Sequence, residues 1–217
     1  MHPRAAFPIS FAAGLLVLVV TLFSTTQVPV QPCGNLPQNY APIIAFELAR
    51  SAQDLEAIFG NEPEQWDSSC RALVVQVMDA INVVDVLVYI PVYGLFMAFF
   101  FLGMRARHAT LGTLGFRIAV IAALGDFAEN ACLMNLTPQL DPTSTWFTLL
   151  PWATGIKWLG LGVAGAIAAA IYVKSSGARV WNYLAALLCA AAFLSTVAAI
   201  AVPAMFGPLV SLGVGLS

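Results

Sequence analysis

The sequence predicts an all-α, polytopic integral membrane protein. It is read as a bundle of five transmembrane helices with a short amphipathic helix in the first extracytoplasmic loop. Three observations carry this. Of 217 residues, 60% are hydrophobic and only 9% charged, whereas a soluble domain is about one quarter charged. Mean hydropathy is +0.85. Several apolar runs exceed the ~18 residues that mark a membrane span, and none alternates as a barrel strand must. A single membrane domain, 1–217, is expected, with spans near 7–28, 72–103, 111–136, 146–173 and 181–202 and an extracytoplasmic loop over 29–71. A net charge of −2 and the lack of any basic cluster argue against nucleic acid as a partner.

The first span follows a short start carrying Arg4. A basic start and apolar centre resemble a signal peptide, but the apolar stretch is long and Ser24-Thr25-Thr26-Gln27 lacks an A-x-A-like cleavage site, so it is read as an uncleaved anchor. The loop opens with a connector punctuated by Pro29, Pro32, Pro37 and Pro42, read as extended and turn-forming. Ile43, Ile44, Phe46 and Leu48 then form an apolar patch around Glu47. Ser51-Ala52-Gln53-Asp54 resembles a capping box. Leu55, Ile58 and Phe59 follow at helical spacing, and Gly60 is a natural stop. The spacing therefore predicts an amphipathic helix over about 52–59, on the membrane surface or capping the bundle. Trp66 suits the interface.

The second span is longer than a ~30 Å apolar core requires, and Pro91 inside it should kink it. Arg105, Arg107 and His108 turn the chain into the third span, and Pro138 and Pro142 break the link to the fourth. Lys174 to Arg179 turns into the fifth, which Pro203 and Pro208 end. Arg4, Arg105, Arg107, Arg117, Lys174 and Arg179 lie on one side or at its edge, Arg50 and Arg71 on the other. The positive-inside rule then puts the N-terminus in the cytoplasm and Cys33 and Cys70 outside, where a disulfide between them is expected. Cys132 and Cys189, within spans, read as small apolar residues.

The residues that could carry chemistry lie in the spans. Asp126, Glu129 and Asn130 share one face of the third, since positions i, i+3 and i+4 point together. A carboxylate at bilayer depth costs roughly 2.5–3.5 kcal/mol on insertion scales, so that face must meet protein or water. Asp79, Asn82, Asp85 and Tyr89 form a polar stripe on the second span, and Lys157 lies on the fourth. Counting ~1.5 Å per residue from the inner boundary gathers these groups in the outer half. One lysine does not neutralise several acids, so some acids must be protonated, hydrated or bound to a cation. The alternatives are a structural ion-pair network and a functional pocket open to the outside, whose shifted groups suit general acid catalysis or proton transfer, with Asp85, Asp126 and Glu129 as candidates.

Oxygen-only ligands would suit Mg²⁺ or Ca²⁺, but Asp-x-x-Asn-x-x-Asp is neither the membrane prenyltransferase nor the phosphatidyl-alcohol transferase pattern, so no metal is expected. No cofactor is expected either. His2 and His108 both fall on the inner side, which disfavours haem, transition metals and a Ser–His–Asp arrangement. Gly160-Leu161-Gly162-Val163-Ala164-Gly165 matches G-x-G-x-x-G without a strand before it. It reads as a small-residue face for helix packing, against the alanines of the fifth span or a membrane-protein partner.

Phe46-Glu47-Leu48-Ala49, Asp85, Asp126-Phe127-Ala128-Glu129-Asn130 and Lys157 together resemble the pattern of a group of small bacterial integral membrane proteins. These carry a Glu-Leu-Ala element in the first outer loop, an acid on the second span, Asp-x-x-Glu-Asn on the third and a lysine on the fourth. The resemblance covers roughly 45–157 and implies no activity. It does imply that Glu47 joins the buried set, with the surface helix as a lid, and it makes the bacterial inner membrane the expected location. The binding set is thus Glu47, Asp79, Asn82, Asp85, Tyr89, Asp126, Glu129, Asn130 and Lys157. Three functions compete. One is binding or acting on a lipid-like molecule from the outer leaflet. Another is a helix-bundle subunit or assembly factor of a larger complex. The third is a proton- or cation-coupled transporter, which five spans without an inverted repeat disfavour.

Overall fold

The computed structural model describes residues 3–26, 31–37, 40–60, 69–174 and 180–201. Among them there is helix and no strand. The elements are α1 (Pro3–Thr26), α2 (Pro42–Glu47), α3 (Ala52–Phe59), α4 (Ser69–Val84), a π-helical segment (Asp85–Tyr89), α5 (Ile90–Met104), α6 (Ala109–Leu136), α7 (Thr145–Lys174) and α8 (Val180–Ala201). Among the described residues three helices are long and apolar enough to cross a membrane: Cys70–Met104, which joins α4 to α5 through the π segment, Ala109–Leu136 and Thr145–Lys174. The 24-residue α1 packs on α5 and the 22-residue α8 on α7. Their apolar stretches are the shorter Ala6–Val20 and Asn182–Ala191. The Trp66 segment, the turn through Arg179, and Pro29, Pro203 and Pro208 lie outside the described residues.

The helical winding changes at Pro91. It stands in the first turn of α5, where its missing N–H costs least. The turn before it is wound as a π segment, closed by the Ile90 N–H donating to the Asp85 carbonyl. The proline leaves a carbonyl four residues back without its usual donor, and the wider turn accommodates that.

Pro42 corrects one expectation. It belongs to the first turn of α2 rather than to an extended connector, because a proline's fixed φ suits the start of a helix. The helix over Ala52–Phe59 has the expected bounds, with Ser51 and Asp54 forming a reciprocal capping box and Gly60 (φ 89°) ending it. Leu55, Ile58 and Phe59 are buried with Phe46, Met78, Leu133, Leu136 and Leu150, so α2 and α3 cap one end of the bundle. A disulfide between Cys33 and Cys70, with Cα atoms 6.0 Å apart, ties this cap to the start of α4. The Cys33 N–H donates to the Ile58 carbonyl at 2.9 Å.

The opposite end is marked by the exposed Arg105 and Arg107. Its core is apolar, built from Phe101, Ala119, Ala164, Ile167, Ala168 and Ile171. The ring of Phe100 on α5 meets that of Tyr172 on α7 at 6.2 Å. This core lies between the arginine end and the buried carboxyl groups of α6.

Candidate functional site

The site begins with a close approach of two helices. A Cβ on Gly125 of α6 would lie 2.8 Å from the Lys157 nitrogen, and one on Gly160 of α7 would lie 2.8 Å from the Ala122 Cβ. Glycine at both positions lets the backbones meet. One turn beyond Gly125, Glu129 faces α7, and Asp126 and Asn130 share its face as their spacing requires. Lys157 leaves α7 at the same level. Its Nζ donates to Glu129 Oε2 and lies 3.1 Å from Asp126 Oδ1 and 3.2 Å from Glu47 Oε1. Three carboxyl groups from two elements thus surround one ammonium, in the half of the bundle nearest the disulfide.

The group is enclosed: relative exposure is 0% for Glu129, 3% for Asp126, 4% for Glu47 and 7% for Lys157. Glu47 comes down from α2 and is held by α7. Trp158 Nε1 donates to its Oε2 at 3.2 Å, and Thr154 Oγ1 donates to its backbone carbonyl at 2.9 Å. Burial pushes the Glu47 carboxyl above the usual carboxylate range, against the pull of Lys157. Arg50 Nη1 donates to the Ala49 carbonyl at 2.9 Å, closing the turn after α2. On the other flank, Tyr93 of α5 donates to Asp126 Oδ2 at 2.7 Å. Asn130 Nδ2 donates to Asp126 Oδ1 at 3.2 Å.

The polar stripe on the second span divides. Asp79 lies beyond the cluster and accepts a 2.8 Å hydrogen bond from Thr137, about two turns past Glu129. Asn82 is 1% exposed, and neither side-chain atom has a partner among the described residues. Asp85 opens the π segment, half-buried and within electrostatic reach of Lys157, Asp126 and Glu129. Tyr89 is half-buried, and its ring meets that of Tyr93 at a tilt, centroids 5.6 Å apart. Tyr93, Thr154 and Trp158 complete the site without having been expected there. Tyr93 stands one turn on from Tyr89, beyond Pro91, and Thr154 and Trp158 flank Lys157 in the sequence.

Chemically, the centre of the site is a cation hole occupied by the protein's own lysine. Among the described residues no group of three or more His, Cys, Asp or Glu could hold a metal ion. Besides Asn82, Glu129 Oε1 and Asn130 Oδ1 are buried without a partner among the described residues. Buried polar atoms are nearly always paired, so these four atoms mark where something polar is to be met. The chain matches no protein-family model, no curated protein and no solved structure.

Proposed function

We propose that the protein binds, or acts on, a lipid-like molecule whose polar end meets the cluster from the leaflet at the disulfide end. The observation that carries this is the set of four buried, unpartnered polar atoms on Asn82, Glu129 and Asn130, beside a half-buried Asp85. Each buried polar atom left unpaired costs about 1–3 kcal/mol, so a ligand group or ordered water has to meet these four. Access from the bilayer is supported by the π segment. Leu87 and Val88 stand exposed there, 69% and 38%, next to Asp85 and Tyr89. In this reading the protein spans the bacterial inner membrane five times, with its N-terminus cytoplasmic and α2 and α3 as a cap over the outer mouth.

The apolar core at the arginine end weighs against a proton or cation relay, which needs a polar route on to Arg117. The small-residue face of α7 is taken by α8, where a Cβ on Gly165 would lie 3.3 Å from the Cys189 carbonyl. That leaves less of it for a partner subunit. The test is native mass spectrometry of protein extracted in a mild non-ionic detergent. A single tightly held amphiphile is expected, reduced in Asp85→Asn. Protein that carries no amphiphile, or that is extracted only in a stoichiometric complex with another membrane protein, would overturn the reading.

A further inference from the structure

The cluster's unfilled capacity has a definite sign. A lysine ammonium has three donors and no acceptor. Around Lys157 stand three carboxyl groups, from Glu47, Asp126 and Glu129. Its donors are therefore spoken for, and an anionic headgroup entering there would meet carboxyl groups first, the nearby Arg50 guanidinium being held on the Glu47 and Ala49 carbonyls of the cap. What remains is rich in acceptors. Asn130 Oδ1 and Asn82 Oδ1 accept, and Glu129 Oε1 accepts wherever that carboxyl is ionised, against one amide donor, Asn82 Nδ2. Asn82 is enclosed, on the side of α4 turned into the protein, three residues before Asp85. Among the described residues, Asp85 is the one of the four acids at the site whose carboxyl makes no hydrogen bond or salt bridge, though Lys157 lies within electrostatic reach. It also sits on the π segment, where Leu87 and Val88 are exposed.

We propose that the group this site takes is a cationic hydrogen-bond donor, a primary ammonium on an aliphatic tail, paired with Asp85 and donating to the unpartnered oxygens of Asn82, Asn130 and Glu129. This rests on the lipid-ligand reading above and names its headgroup class. An ammonium brings three donors and one positive charge, which answers both the acceptor excess and the acid excess. The tail lies along the exposed apolar residues beside Asp85, in the acyl region of the leaflet.

Three amphiphiles with the same tail separate the possibilities: dodecylammonium, dodecanol and dodecyl phosphate, each titrated into full-length protein in maltoside micelles. Bound mass and thermal shift are read for wild type, Asp85→Asn and Asp85→Glu. Saturable binding of one dodecylammonium is expected, with dodecanol weaker and dodecyl phosphate absent. Asp85→Asn should weaken dodecylammonium by about tenfold, the scale of one charge-assisted hydrogen bond, while Asp85→Glu retains it. Micelle partitioning is common to all three proteins, so the difference between them reports the site. Tighter binding of the phosphate, or dodecylammonium binding equal in wild type and Asp85→Asn, overturns the headgroup assignment and leaves the lipid reading standing. Binding of none of the three removes both.

Discussion

Lys157 is surrounded by more negative charge than it can neutralise, so its removal should be felt more than that of any one acid. Lys157→Met leaves three buried carboxyl groups without their cation, and breaking a buried pair typically costs about 3–5 kcal/mol. Lys157→Arg should cost less, because it keeps the charge. Adding Glu129→Gln to Lys157→Met should recover part of the loss, since Glu129 is the acid to which Lys157 donates directly. A double-mutant cycle on reversible unfolding in detergent checks this, and simple additivity would rule out the coupling. Tyr93→Phe removes the donor to Asp126 Oδ2 and should cost about 1–3 kcal/mol in the same assay, the penalty for an acceptor left unmet. Much of this site is legible in the sequence. Asp126, Glu129 and Asn130 share a face by spacing alone, and Lys157 follows from depth counting. Tyr93 is not legible, because the π turn before Pro91 shifts the register by which a stripe is followed down the helix. Glu47 is not legible from spacing either, since an acid on a short loop helix reads equally as exposed; only the resemblance points inward.

The helices divide into those set by local chemistry and those set by neighbours. α3 has the bounds its capping box predicts, because Ser51, Asp54 and Gly60 act within the segment itself. Ser51→Ala should loosen the first turn by about 1 kcal/mol, seen as faster hydrogen exchange of the Ala52–Leu55 amides with α6 unchanged. The meeting of α6 and α7 depends on a partner helix, and no single-helix pattern announces it. The run from Gly160 to Gly165 suggests close packing but does not say that Gly160 faces Ala122 while Gly165 faces α8. Substitutions separate the two kinds of glycine. Gly125→Ala puts a methyl 2.7 Å from Ile156 Cγ2 and 2.8 Å from a backbone nitrogen that cannot swing aside. It should destabilise by about 1–3 kcal/mol, as overpacking does, and displace Lys157 from Glu129. Gly155→Ala meets nothing within 4 Å and should stabilise α7 by about 0.5–1 kcal/mol, the propensity difference alone. Equal melting temperatures for the two variants would contradict the close approach.

At the scale of the whole molecule, the cap and the topology are one problem. The disulfide between Cys33 and Cys70 fixes the cap that carries Glu47, and it belongs on an oxidising side. Exchanging both cysteines for serine should lower stability by about 4 kcal/mol in the chain-entropy model, and should raise hydrogen exchange in α2 before it does so in α6. The same end of the bundle holds the exposed Glu56, while the exposed Arg107 marks the other. Three helices are long enough to separate those ends, and the cation asymmetry of the sequence gives them a direction. Residues 56 and 107 stand at opposite ends of the helix Cys70–Met104, so they report on that one crossing. In a chain whose Cys132 and Cys189 are replaced by alanine, Glu56→Cys should react with a membrane-impermeant maleimide in cells whose inner membrane is intact. Arg107→Cys should react only after that membrane is opened. The reverse pattern would invert the protein and carry the carboxylate cluster to the cytoplasmic leaflet, where the ammonium-headed ligand would have to be sought. Reaction of both from one side would mean that Cys70–Met104 does not cross at all, and the polar site would then face an aqueous compartment rather than a lipid.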